Sequence, residues 1–175
     1  YAGCIDVILS FDQDGLTYDP SLPQFSTLED VDFYHGYWFR LSCPITFEIC
    51  GGVISPNDYI QIYSGWNLVS YWPDYSMPVE DGFASIMENL LVTYGYDGGA
   101  MDYVPGDPLH NTLTDLYPTF GYWVKSSTAD MLYYDDAPMP VKSNVTSLAS
   151  ADREITASRD WMNVYGAGIK LDGAE

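Results

Sequence analysis

The residues of this chain that could do chemistry are its acids, its tryptophans, its cysteines and two histidines. Asp+Glu number 25 against Lys+Arg 6, a formal net charge of −19 at pH 7. Two sets of carboxylates flank turn-forming residues. Asp12, Asp14 and Asp19 surround Asp12-Gln13-Asp14-Gly15, and Asp97 and Asp102 surround Asp97-Gly98-Gly99. Calcium takes roughly six to eight hard oxygens at short range, so these five are the candidate metal ligands and calcium the one candidate cofactor. The spacing is not that of an EF-hand loop, and Asp-Gly is good turn chemistry without any ion. Trp38, Trp66, Trp72 and Trp123 offer flat apolar rings with a polar edge, the chemistry of a sugar platform. Against this, strand residues alternate between faces, so one ring of each aromatic pair points into a core.

Nucleophile motifs are missing from the sequence: it holds no G-x-S-x-G, no H-E-x-x-H and no glycine-rich phosphate loop. His35 precedes Gly36 and His110 precedes Asn111, unlike settings that read as surface loops. With 25 acids, pairs close enough for glycoside hydrolysis arise by chance. The chain therefore reads as non-enzymatic.

The three cysteines, Cys4, Cys43 and Cys50, form no C-x-x-C pair, so zinc is disfavoured. If Pro44 to Ile49 is a strand, it holds Cys43 and Cys50 about 23 Å apart, far beyond a bridge's reach of about 4.4–6.8 Å between Cα atoms. Cys4 is thus expected to bridge Cys50 or Cys43, with Cys50 preferred. Asn144-Val145-Thr146 matches the glycosylation triplet.

The elements that must position these residues follow from composition and repetition. A hydrophobic fraction of 47% excludes a wholly disordered acidic chain. No apolar run approaches the ~20 residues of a membrane span, and the charge repels phosphate backbones and anionic lipid. Tyr1-Ala2-Gly3-Cys4 reads as no signal peptide, and a start without Met reads as a processed or excised piece. Abundant Tyr, Trp, Gly and Asp with little Lys fit a secreted or cell-surface β-protein.

Residues 1–42 align without a gap on residues 86–127, at an offset of 85. Asp12 falls on Asp97, Tyr18 on Tyr103, Pro23 on Pro108, Thr27-Leu28 on Thr112-Leu113, and Gly36-Tyr37-Trp38 on Gly121-Tyr122-Trp123. Two copies of one module are implied. Residues 1–51 are the rear half of one copy and 52–136 a complete copy. Residues 137–158 form a Ser/Thr-rich linker, and 159–175 an opening strand of a further module or a donated strand.

Ile5 to Phe11 and Val92 to Tyr96 read as strands. Gly36 to Ser42 with Ile45 to Ile49, Tyr59 to Ile62 with Trp66 to Trp72, and Tyr122 to Lys125 with Met131 to Tyr134 read as hairpins. Val79 to Leu91 has near-helical apolar spacing. The fold class is mostly β, in sandwich-like modules with one short helix per complete module.

Ser64-Gly65-Trp66-Asn67-Leu68-Val69-Ser70, followed by Gly121-Tyr122-Trp123-Val124-Lys125, resembles tandem "GWNLIS…GYWVK" modules of large secreted or surface proteins of bacteria and archaea. That family has no defined catalytic residues. The resemblance implies an extracellular structural or recognition role.

The expected function is a non-catalytic extracellular structural protein, a protomer or fragment of a surface fibre, sheath or adhesin. Its partners are copies of itself or other surface proteins, with no nucleic acid and no membrane insertion. In an acidic chain, divalent cations would favour assembly. Ile155, Trp161 and Val164 mark a β-prone segment whose Asp160-Trp161-Met162-Asn163 echoes Gly65-Trp66-Asn67. Donated to a neighbouring copy or folded back, that segment would complete the first module's sheet. The alternative is a carbohydrate-binding accessory module of a secreted enzyme, carried by Trp38, Trp66, Trp72 and Trp123 and binding a polysaccharide.

Overall fold

The computed structural model describes residues 3–43, 54–55 and 57–134, and the backbone of 162–164. Strands in chain order are β1 (Ile5–Asp12), β2 (Asp14–Tyr18), β3 (Tyr37–Leu41), β4 (Ile60–Ile62), β5 (Gly65–Ser70) and β6 (Met77–Pro78). The helix α1 (Val79–Gly82) follows, then β7 (Leu90–Tyr96), β8 (Ala100–Tyr103), β9 (Asp115–Leu116), β10 (Gly121–Ser126), β11 (Asp130–Leu132) and β12 (Met162–Val164). The chain is mostly β, built from antiparallel sheets with one short α-helix among the described residues.

Two four-stranded sheets carry the architecture. One has the order β12-β3-β1-β2 and the other β5-β10-β7-β8. Their registers agree position by position at the sequence offset of 85. Leu9 faces Trp38 as Tyr94 faces Trp123, and Ile8 faces Tyr18 as Thr93 faces Tyr103. One extra residue interrupts each ladder at the same place, Asp6 in β1 and Leu91 in β7. The loops correspond too. Thr27 and Leu28 donate to the Thr17 carbonyl as Thr112 and Leu113 donate to that of Asp102. The buried Tyr37 hydroxyl accepts the Asp32 N–H at 2.9 Å, as Tyr122 accepts that of Tyr117 at 2.8 Å.

Alternation along the strands places Ile8, Tyr37, Phe39 and Leu41 in a small core with Leu28 and Val31. The second core is larger because β4, α1, β6, β9 and β11 cover its sheet, bringing Ile62, Phe83, Ile86, Leu116 and Leu132 against Val69, Tyr122 and Val124.

Three local expectations are corrected. β4 does not form a hairpin with β5; it pairs with β11, and β5 pairs with β10. The left-handed corner at Gly65, φ 101°, separates them, and the Asn67 side chain secures it by accepting from the Tyr63 N–H at 2.8 Å and donating to the Tyr63 carbonyl at 2.9 Å. The same pairing means that β10 and β11 are not a hairpin. The helix expected over Val79 to Leu91 shortens to α1 and a 3-10 turn at Ala84–Ile86, because Leu90 already belongs to β7. The hairpin partner read at Ile45 to Ile49 lies outside the described residues.

Cys4 is bridged, but to Cys43 rather than the preferred Cys50, with Cα atoms 5.2 Å apart. Pairing decides this: Ile5 faces Leu41 and the Ser42 N–H donates to the Cys4 carbonyl at 2.9 Å, so the residues beyond each strand end meet. Cys50 is outside the described residues.

Candidate functional site

The two sheets are joined at the segment 32–36. Val69 of β5 bridges His35, the Gly36 N–H donates to the Leu68 carbonyl at 3.0 Å, and the Ser70 N–H donates to that of Tyr34 at 3.2 Å. The Ser70 hydroxyl donates to the Phe33 carbonyl. β5 therefore has partners on both edges, and Leu68, Val69 and Ser70 are all buried.

At this joint the Asp32 carboxylate accepts the N–H groups of Tyr34 at 2.9 Å and His35 at 3.0 Å, and holds His35 Nδ1 at 2.9 Å. Asp12 Oδ1 stands 3.9 Å from His35 Nε2. Burial by itself would push the His35 pKa down, but the Asp32 hydrogen bond and charge, with Asp12 behind them, raise it. Burial opposes ionisation of Asp32 as well, and the His35 contacts and two amides nonetheless lower its pKa. The crevice beside the pair is lined by Gln13, Gln61, Tyr63 and Asn67, and none of its described residues carries an aliphatic hydroxyl or a thiol. The pair can hold a proton and fix the joint.

The tryptophans divide by role. Phe11 packs on Trp123 at 5.4 Å, and the corresponding pair, Tyr96 and Trp38, repeats the contact at 5.6 Å. Each sheet thus offers the other the same two rings. Trp72 lies between Phe33 at 5.7 Å and Tyr134 at 5.0 Å, packed against the larger core. Trp38, Trp72 and Trp123 are thus engaged in packing, unlike the exposed sugar-stacking rings of the alternative reading. Repetition in both copies reflects what the module needs for assembly. Among the described tryptophans only Trp66 remains exposed, stacked beside Tyr94 at 5.8 Å with rings inclined by 28°.

The candidate calcium ligands are not gathered. Asp12 and Asp14 face each other across one hairpin, while Asp97 and Asp102 flank another in the second sheet. Asp19 accepts from the Ser21 hydroxyl at 2.6 Å and N–H at 2.8 Å, contacts that lower its pKa. Asp102 accepts from Thr112 Oγ1 at 2.7 Å. Among the described residues no three His, Cys, Asp or Glu side chains form a group able to hold a metal ion. Asn144, Ile155 and Trp161 lie outside the described residues. Val164 is described in backbone only, within β12.

Reading the repeat for likeness alone missed Asp32 and Tyr94, and it took His35 for a surface-loop residue, whereas the joint holds it against Val69 and Asp32. The usable signal is the set of places where the copies differ: Asp32 matches Tyr117, His35 matches Phe120 and Leu9 matches Tyr94. No family model, curated protein or solved structure matches the chain.

Proposed function

We propose that this chain is a non-catalytic structural segment of the cell exterior, of the tandem "GWNLIS…GYWVK" type, acting within a surface fibre, sheath or adhesin. The Cys4–Cys43 bridge fits an oxidising compartment. No described helix is long and apolar enough to cross a membrane.

The observation that carries the proposal is the placement of β12. It pairs with β3 through Val164–Tyr37, Asn163–Trp38 and Met162–Phe39. β5 pairs with β10 in the same frame, through Val69–Tyr122, Leu68–Trp123 and Asn67–Val124. A segment far along the chain therefore occupies in the first sheet the position that β5 holds in the second. Here the strand closes the first sheet within its own chain; the same strand delivered instead by a neighbouring copy would make a head-to-tail contact that does not close, the geometry of a filament. Residues 135–161 lie between β11 and β12 in the chain, and an extended stretch of that length spans roughly 90 Å, enough for either route.

Negative-stain microscopy with sedimentation tests this. Filaments or concentration-dependent oligomers are expected from the chain, and a soluble, less stable monomer once residues 153–175 are deleted. Filaments that persist after the deletion refute strand donation.

A further inference from the structure

The exposed face of the second sheet carries an arrangement that the structural reading does not use. Trp66 on β5 is the cross-strand neighbour of Lys125 on β10, and Tyr94 on β7 is that of Trp123. Trp66 is 37% exposed and Tyr94 43%, and the two rings stack on one another, inclined by 28° with centroids 5.8 Å apart. Trp123 meets Trp66 edge-on at 6.2 Å and is itself held by Phe11, so the seam between the sheets fixes the support under the exposed pair. Lys125 Nζ lies 5.3 Å from the Trp66 ring centre.

Two features separate this face from ordinary packing. The first copy has Leu9 where Tyr94 stands, so the paired rings are not required to build the module. The described residues include two Lys or Arg side chains, Arg40 and Lys125. Arg40 Nε is bridged to Asp6 at 3.4 Å, while no described carboxylate lies within 4.0 Å of Lys125. Among the described residues, a lysine with no carboxylate partner, held over one of two exposed rings, is placed to meet an anion from outside.

We propose that Trp66, Tyr94 and Lys125 bind a carboxylated pyranose of the hexuronate class. The apolar C–H face of the sugar lies against the solvent-exposed part of this stacked pair, and its carboxylate meets the Lys125 ammonium. The net charge of −19 restricts the ligand to a sparsely charged glycan. Charges beyond about 8 Å are screened at physiological salt, so a single carboxylate feels mainly Lys125, whereas a polyuronate would meet the acidic surface.

The test uses the whole chain and two probes that differ only at the carboxylate, methyl β-glucuronide and methyl β-glucoside. Binding is followed by tryptophan fluorescence and ligand-observed NMR. The glucuronide is expected to bind at least about fivefold more tightly. Lys125→Gln should erase that preference, and Tyr94→Leu should weaken both sugars, with far-UV circular dichroism unchanged. Binding of neither sugar, equal binding of both, or a preference that survives Lys125→Gln overturns the proposal. Self-association lost in Lys125→Gln without sugar binding would assign the face to a second copy of the chain and likewise overturn it. None of these readouts depends on filament formation.

Discussion

Gly36 and Gly121 hold the same place in the two sheets and touch one another: a Cβ on Gly121 would lie 3.0 Å from the Gly36 Cα. A Cβ on Gly36 would lie 3.0 Å from the Val69 carbonyl oxygen. Backbone cannot rotate away as a side chain can, so either alanine must push the sheets apart. Gly121→Ala is expected to cost about 1–3 kcal/mol, the range for overpacking. In chemical denaturation its midpoint should fall, and a midpoint equal to wild type would contradict the contact.

Gln13 sits at φ 61° in the β1–β2 turn, where the second copy has Gly98 at φ 69°. The left-handed region is strained for a residue with a Cβ and open to glycine. Gln13→Gly should therefore stabilise the chain by about 0.5–1 kcal/mol, the gain in strain being partly offset by unfolded-chain entropy. Differential scanning calorimetry showing a lower melting temperature would refute this.

The Trp38 indole Nε1 is buried without a hydrogen-bond partner among the described residues. An unsatisfied buried donor costs about 1–3 kcal/mol. Trp38→Phe removes that donor but also trims ring area against Tyr96. The net change should stay within about 1 kcal/mol of zero. A larger loss would mean that the N–H is satisfied.

The His35–Asp32 pair sets a pH window. The His35 pKa is raised, so its contribution is fully present below the unfolded value and is lost as pH rises through the folded one. The Asp32 pKa is lowered, so its contribution is present above the unfolded value and is lost as pH falls through the folded one. Wild type should exceed His35→Phe, the residue found at Phe120, by about 1 kcal/mol at mildly acidic pH, a figure discounted for partial exposure. The margin should shrink toward alkaline pH. Identical pH profiles of the two melting temperatures would dispose of the coupling.

The Cys4–Cys43 bridge closes a separation of 39 residues. Chain-entropy reasoning assigns such a loop roughly 4 kcal/mol. Replacing both cysteines by serine should lower the denaturation midpoint by a fraction of that figure. Non-reducing peptide mapping that joined Cys4 to Cys50 would contradict the pairing.

The sequence by itself determined the β class, the two copies and their offset, because strand alternation, turn residues and repetition are local or self-referential signals. The repeat aligns Gly36 with Gly121 and Trp38 with Trp123. Whether those matched residues would meet was undecided, since likeness in sequence does not specify a docking face. The tertiary structure decided that Phe11 packs on Trp123 and Tyr96 on Trp38, which turned three tryptophans from candidate ligands into packing residues. It also decided that Cys4 meets Cys43 and that β4 leaves β5 for β11. Strand pairing is a long-range choice among edges of similar chemistry, and it is settled by which apolar faces are buried together. The five aspartates show the same limit: spacing along the chain placed them on turns, but only the folding of those turns into different sheets kept the carboxylates apart.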